Sequence, residues 1–117
     1  MIMRALVLVL TWVLIAAPAL AETIRPADAR AHVGESVTVE GTVDEVHTAR
    51  RSGVTFLDLG GRYPNQIFTG VIFAEDAGKF PAVHALEGKT VDISGRVRLY
   101  RGRPEIILRD AGQLKAR

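Results

Sequence analysis

Residues Val91 to Asp110 read V-D-I-S-G-R-V-R-L-Y-R-G-R-P-E-I-I-L-R-D, two alternating runs that meet at Arg101-Gly102. In the first run Val91, Ile93, Val97 and Leu99 share one parity, with Gly95 in their row, and Asp92, Ser94, Arg96, Arg98 and Tyr100 take the other. Period 2 is the mark of a half-buried strand. In the return run Ile106 and Leu108 form one face and Glu105, Ile107 and Arg109 the other. A two-residue loop would place Arg98 opposite Glu105 and Val97 opposite Ile106, with Gly102 supplying the positive φ of a tight hairpin. Pro104 donates nothing to a ladder and suits a strand start. The expected hairpin has an apolar inner row and an outer face carrying Arg96, Arg98, Tyr100, Arg103 and Arg109.

Working outward, Val37-Thr-Val-Glu-Gly-Thr-Val43 repeats the form of Val91 to Val97, V-x-[V/I]-x-G-x-V. A glycine inside each of two long strands fits a small coiled barrel, where a strand bends across the structure. The first of these strands is expected over Ser36–Val46, with Val46 out of parity and so marking a bulge or bend. His47 to Gly53 reads as a polar loop. Val54–Leu59 is the second strand, with Leu57 and Leu59 turned inward because Asp58 is poorly buried without a partner; Phe56 then faces out. Gly60 to Gln66 is a long turn. Ile67–Phe73 is a third strand, apolar at both parities and therefore not oriented by periodicity. Short helices are expected over Ile24–Val33, with Pro26 in its first turn, and over Ala74–Phe80, ended by Pro81. Val83 and Leu86 pack under the loop to Gly88, and Ala111 to Arg117 is a tail.

The chain begins with a different kind of segment. Arg4 is the only charge before Glu22, and an almost wholly apolar run leads to Ala19-Leu-Ala21. A positive start, a short apolar core and an A-x-A site describe a secretory signal peptide cleaved after Ala21, with recognition at Ala19 and Ala21. The run is short for a membrane span, which needs about 20 residues. The expected organisation is a signal peptide at 1–21 and a single domain at 22–117, periplasmic or secreted, with no membrane span after cleavage and monomeric. With no cysteine, the domain makes no use of disulfides in that compartment.

Five strands, two of them long and bent at glycine, with one helix before them and one between the third and fourth, is the layout of a five-stranded Greek-key barrel. At this level the chain resembles the OB-fold. The runs H-V-G-E-S-V-T-V-E-G-T-V, G-G-R-Y-P-N-Q-I-F-T-G-V-I-F and L-Y-R-G-R-P-E-I-I-L-R-D resemble small exported bacterial proteins of the OB-fold nucleic-acid-binding superfamily. The resemblance spans residues 24 to 114. It implies an all-β barrel and a binding role, and one fold of this kind hosts many functions.

The sequence offers no catalytic constellation. His32, His47 and His84 are far apart and have no metal-ligand spacing. Gly88-Lys89-Thr90 imitates the end of a phosphate-binding loop, but Val83 stands where the first glycine would be and a strand follows instead of a helix. No G-x-S-x-G occurs. A non-enzymatic protein without cofactor or metal is the expectation. The clue that remains is charge: between Arg96 and Arg109 five arginines face the single Glu105. On an OB barrel, bases stack on exposed aromatics while basic residues meet phosphate. The candidate nucleic-acid-binding residues are Arg50 and Arg51 before the second strand, Phe56 on it, Arg62 and Tyr63 after it, and Arg96, Arg98, Tyr100, Arg101 and Arg103 on the hairpin. Arg98 is expected to pair with Glu105, which removes one free charge. Single-stranded DNA or RNA leads as partner; an envelope protein, glycan or small ligand is the alternative, and an outward Ile107 wants a cover.

Overall fold

The computed structural model of the protein describes residues 5, 7–12 and 21–117. The expected export segment, including Ala19 of its cleavage site, lies largely outside the described residues. No helix among the described residues is long and apolar enough to cross a membrane. The domain is mostly β. Its strands are β1 (Thr23–Ile24), β2 (Ser36–Thr48), β3 (Thr55–Leu59), β4 (Phe68–Ile72), β5 (Thr90–Arg96), β6 (Arg98–Tyr100), β7 (Arg103–Ile107) and β8 (Leu114–Ala116). Short 3-10 helices occupy Pro26–His32, Ala74–Lys79, Val83–Leu86 and Ala111–Gln113.

Hydrogen bonding traces the path β6-β7-β4-β3-β2-β5-β8, with β1 paired in parallel to β2. The five strands expected from the sequence are thus eight hydrogen-bonded segments on an open path. Strands β1 and β8 are additions at the ends of the domain, and the division of the 90–100 run into β5 and β6 lies at Val97. Its N–H donates to the Glu35 carbonyl at 3.0 Å and its carbonyl accepts from Gly34 at 2.8 Å, which extends the β2–β5 ladder. From Arg98 onward the chain pairs with β7 instead. One continuous run of residues, 90–100, therefore pairs first with β2 and then with β7.

The hairpin register is Arg98 opposite Glu105, Leu99 opposite Pro104 and Tyr100 opposite Arg103. Arg101 and Gly102 both have positive φ, 49° and 78°, the backbone of a primed two-residue turn. Val91, Ile93 and Val97 are buried as their parity requires, but Leu99 is 46% exposed. The inner row fails there because the hairpin tip runs past the end of the core.

The core joins Val37, Val39 and Val43 of β2, Leu57 and Leu59 of β3, Phe68 and Ile72 of β4, Val91 and Ile93 of β5 and Ile106 of β7. β4 is resolved by its neighbours. Phe68 faces Leu59, and Gly70 sits against Ile93 and Leu108, so Phe68, Gly70 and Ile72 point in and Thr69 and Val71 point out. The strand glycines are required by close approach. A Cβ on Gly41 would stand 2.7 Å from Pro26 of the first helix, and one on Gly95 would stand 2.6 Å from Ile106.

Three further expectations change. β2 continues to Thr48, so His47 is a strand residue opposite Phe56 and the polar loop is shorter. The segment after Asp110 is a 3-10 turn and strand β8, which pairs with β5. Val83 and Leu86 lie in a helical turn of their own, with Val83 in the core and Leu86 packed against it. The parity break at Val46 is a bulge between Val43 and Glu45. Val46 N–H, in the bulged stretch, donates to Glu87 Oε2 at 3.2 Å.

Candidate functional site

Strand pairing sets the outer face row by row. Residues directly opposite one another share a face, with Cβ atoms about 5 Å apart. One row across β2, β3, β4, β7 and β6 is Glu45, Asp58, Thr69, Glu105 and Arg98. The next is His47, Phe56, Val71 and Ile107. Ile107 therefore lies beside Val71 and is half-buried. Arg98 Nε donates to Glu105 Oε1 at 2.7 Å, and the carboxylate is buried while the guanidinium is half exposed. A cross-strand pair of this kind contributes roughly 0.2–1 kcal/mol and leaves Arg98 little free charge.

Over these rows opens a cleft of about 570 Å³. Phe56 and His47 form one side, with ring centroids 5.1 Å apart and planes at 76°. The hairpin tip forms another, where the Arg101 guanidinium lies 5.4 Å from the Tyr100 ring centre. Tyr63, Pro64 and Gln66 of the 60–66 turn line the cleft, as do Asp58, Thr69, Arg103, Pro104 and Glu105. Arg103 Nη1 donates to the Pro64 carbonyl at 2.6 Å and so ties the hairpin to the turn.

The β2 bulge anchors that turn from the other side. Gly61 N–H donates to Asp44 Oδ2 at 2.7 Å, and Arg62 donates to Glu45 Oε2 at 2.6 Å and to the Asp44 carbonyl at 3.4 Å. Arg62 also lies 3.7 Å from Glu87. Its role in the fold is to hold the turn, and it does not line the cleft.

Of the residues expected to bind, Phe56, Tyr63, Tyr100, Arg101 and Arg103 converge on this one cleft. Tyr63 is 68% and Tyr100 53% exposed, so both rings are available. Arg50 and Arg51 stand in the exposed turn between β2 and β3, and Arg96 is exposed at the end of β5, opposite Ser36; none of the three lines the cleft. Arg98 is held by Glu105. The sequence reading missed His47, Gln66, Thr69 and Pro104. The signal available for His47 was its parity with Glu45, once β2 is carried past Val46.

Asp58 departs most from expectation. It is on the outer face, as Leu57 and Leu59 require, yet it is only 1% exposed, because neighbouring rows and the turn cover it. Its Oδ1 accepts from Thr69 Oγ1 at 3.3 Å, and its Oδ2 has no partner. Burial raises its pKa above the ordinary carboxylate value; the Thr69 hydroxyl opposes this, Glu45 adds to it, and His47 and Arg103 oppose it. A carboxyl whose folded pKa is raised binds its proton more readily in the folded state. Its contribution to stability is then fullest below the ordinary carboxylate range and is lost as pH rises through the folded value. Asp58→Asn removes a poorly solvated charge, so it is expected to stabilise the protein at pH 7 by about 1 kcal/mol, with the gain over the parent shrinking toward pH 3, where Asp58 carries its proton. Urea unfolding of both forms between pH 3 and 8 checks this; a variant less stable at pH 7 would refute it.

No family model matches this chain, and no curated protein matches it. Solved structures do. The chain is similar to an OBody, AM1L10, bound to hen egg-white lysozyme, with TM-score 0.61, 19% identity, and coverage of 82% of this chain and 93% of that one. It is similar to the asparaginyl-tRNA synthetase of Entamoeba histolytica, with TM-score 0.54, 21% identity, and coverage of 82% of this chain and 23% of the synthetase. It is similar to RecG bound to a three-way DNA junction, with TM-score 0.54, 20% identity, and coverage of 82% of this chain and 12% of RecG. The protein thus spans less than a quarter of the length of these two larger proteins. At such identities the likeness is one of fold, and the fold is of the OB type.

Proposed function

We propose that this chain is a non-enzymatic, exported OB-fold protein that binds single-stranded nucleic acid in the cleft between the 60–66 turn and the β6–β7 hairpin. In this reading β2, β3, β4, β7 and the continuous β5–β6 run act as the five strands of a barrel, joined at Val97. The observation that carries the proposal is the convergence of Phe56, Tyr63 and Tyr100 with Arg101 and Arg103 on one cleft. Aromatic faces accept any base, and each stacked base contributes roughly 1–3 kcal/mol. Arginine meets phosphate and stacks as well. The likeness in fold to an asparaginyl-tRNA synthetase and to RecG bound to a three-way DNA junction is in keeping with the reading.

The test is a titration of the protein with fluorescent single-stranded DNA at several salt concentrations. Log affinity should fall linearly with log salt, at about 0.7 per phosphate contacted. Arg101→Ala and Arg103→Ala should each flatten that slope by about one contact. Replacing the pair together, Arg98→Gln with Glu105→Gln, should leave it unchanged, because the two charges already answer one another. Absence of saturable binding at low salt overturns the proposal.

Export is part of the same reading. It rests on the residues before Glu22, and the intact mass of protein recovered from the envelope or medium tests it, with Glu22 as the expected first residue. A protein partner is the second reading. It is favoured by Leu99 and Tyr100, both exposed at the hairpin tip, and by a fold neighbour whose structure is bound to lysozyme. Pull-down from envelope extract, lost on Leu99→Asp, would select it.

A further inference from the structure

Among the described residues, three buried side-chain atoms lack a hydrogen-bond partner: Asp58 Oδ2, Gln66 Oε1 and Asp92 Oδ1. Asp92 lies outside the cleft, and its other oxygen receives Arg117 at 2.9 Å. The remaining two both belong to residues that line the aromatic cleft. Both are oxygens and both are acceptors. Buried acceptors are ordinarily satisfied, because an orphan bears the full cost of its lost hydration. Both lie too deep in the cleft wall for solvent to reach, so a ligand that displaced the wall and carried N–H donors would complete them.

We infer that the cleft selects bases that carry an exocyclic amino group, with Asp58 and Gln66 accepting their N–H donors, and discriminates against uracil and thymine. The inference rests on the nucleic-acid reading above and adds the identity of the favoured base class. A base stacked on Phe56, Tyr63 or Tyr100 presents its edge to the cleft wall. The pairing edge of uracil is a single N–H between two carbonyl oxygens. Turned toward Asp58 and Gln66, uracil can give its one N–H to one oxygen, and that brings a carbonyl against the other acceptor. Cytosine exchanges one carbonyl for an amino group with two donors and its ring N–H for an acceptor nitrogen, so when the amino group is the part turned to the two oxygens both can be answered from that one group. Thr69, which already donates to Asp58 Oδ1, holds the carboxyl so that Oδ2 remains the free oxygen. Arg103 keeps its hydrogen bond to the Pro64 carbonyl, which fixes the turn that carries Gln66.

The experiment compares oligo-deoxycytidine and oligo-deoxyuridine of about eight residues, a length within the range one OB-fold covers. The two have the same phosphates and sugars and differ at the base edge. The full-length protein is titrated with each at pH 7.5 and one low salt concentration. Binding of the cytidine strand should be about tenfold tighter, the discrimination expected when a base edge finds its acceptors. Asp58→Asn places an amide N–H where Oδ2 stood. The preference should then vanish or turn toward uridine, whose carbonyl can accept it. Gln66→Ala should shrink the preference without reversing it. Equal binding of the two strands, tighter uridine binding, or an undiminished ratio in Asp58→Asn overturns the selectivity while leaving the nucleic-acid reading intact. Failure of both strands to bind overturns both.

Discussion

Replacing Phe56 and Tyr100 with alanine together should weaken single-stranded DNA binding more than any single arginine substitution. Each ring lost removes a stacking platform worth roughly 1–3 kcal/mol, a 5- to 150-fold loss apiece. The salt slope should stay where it was, because neither change removes a phosphate contact. This separates the aromatic contribution from the arginine contribution. Tyr100 is half exposed at a hairpin tip and Phe56 is half-buried, in a T-shaped contact with His47, so neither holds the core. Urea unfolding of the double variant should therefore show only a modest stability change. The Tyr100 substitution also frees the Arg101 guanidinium from its ring. Its charge is kept, so a loss of affinity is not a lost phosphate contact. Affinity within twofold of the parent protein would mean the rings are not stacking platforms.

The largest effect on stability is expected at Gln113. Its Oε1 accepts from the backbone N–H groups of Arg109 and Asp110 at 2.8 and 3.0 Å. Its Nε2 donates to the carbonyls of Ser94 and Ile107 at 2.9 and 3.1 Å. One amide thus joins the end of β7, the turn after it and the bent part of β5. Gln113→Leu keeps much of the volume and leaves four backbone groups without their partner, some of them reachable by water. A cost of about 2–3 kcal/mol follows from the penalty for unpaired polar groups. For a domain of this size that lowers the melting temperature by about 10–20 °C. Gln113→Glu keeps acceptors for the two N–H groups and loses both donors, so it should fall between parent and Gln113→Leu. If Gln113→Leu melts within a few degrees of the parent, the clamp is not what joins the two strands.

Much of this architecture is legible in the chain. Alternation locates β2, β3 and the β5–β7 stretch, and an Arg-Gly turn of two residues forces Arg98 opposite Glu105, because hairpin register follows from loop length. The out-of-parity Val46 announces the bulge. Gly41 and Gly95 are visible as strand glycines, though the reason for them, contact with Pro26 and Ile106, involves residues distant in the chain. The β8 strand is less legible. Leu114-Lys-Ala116 has too few residues for a pattern, and it is held against β5 by contacts on both sides, Gln113 to the Ser94 carbonyl and Arg117 to Asp92.

The candidate site divides in the same way. From sequence alone follow the export segment as an expectation, the residue types that suit nucleic acid, and the face of each strand on which they stand, since parity is a local property of the chain. Tertiary structure decides which of them meet. It gathers Phe56, Tyr63, Tyr100, Arg101 and Arg103 and leaves Arg50, Arg51 and Arg96 outside. It engages Arg62 with Glu45 and Arg98 with Glu105, and buries Asp58 with one oxygen unanswered. The reason is physical. A residue's face depends on its immediate neighbours in the chain, whereas convergence, ion pairing and burial depend on strands brought side by side from up to 60 residues apart, as Glu45 and Glu105 are on one row.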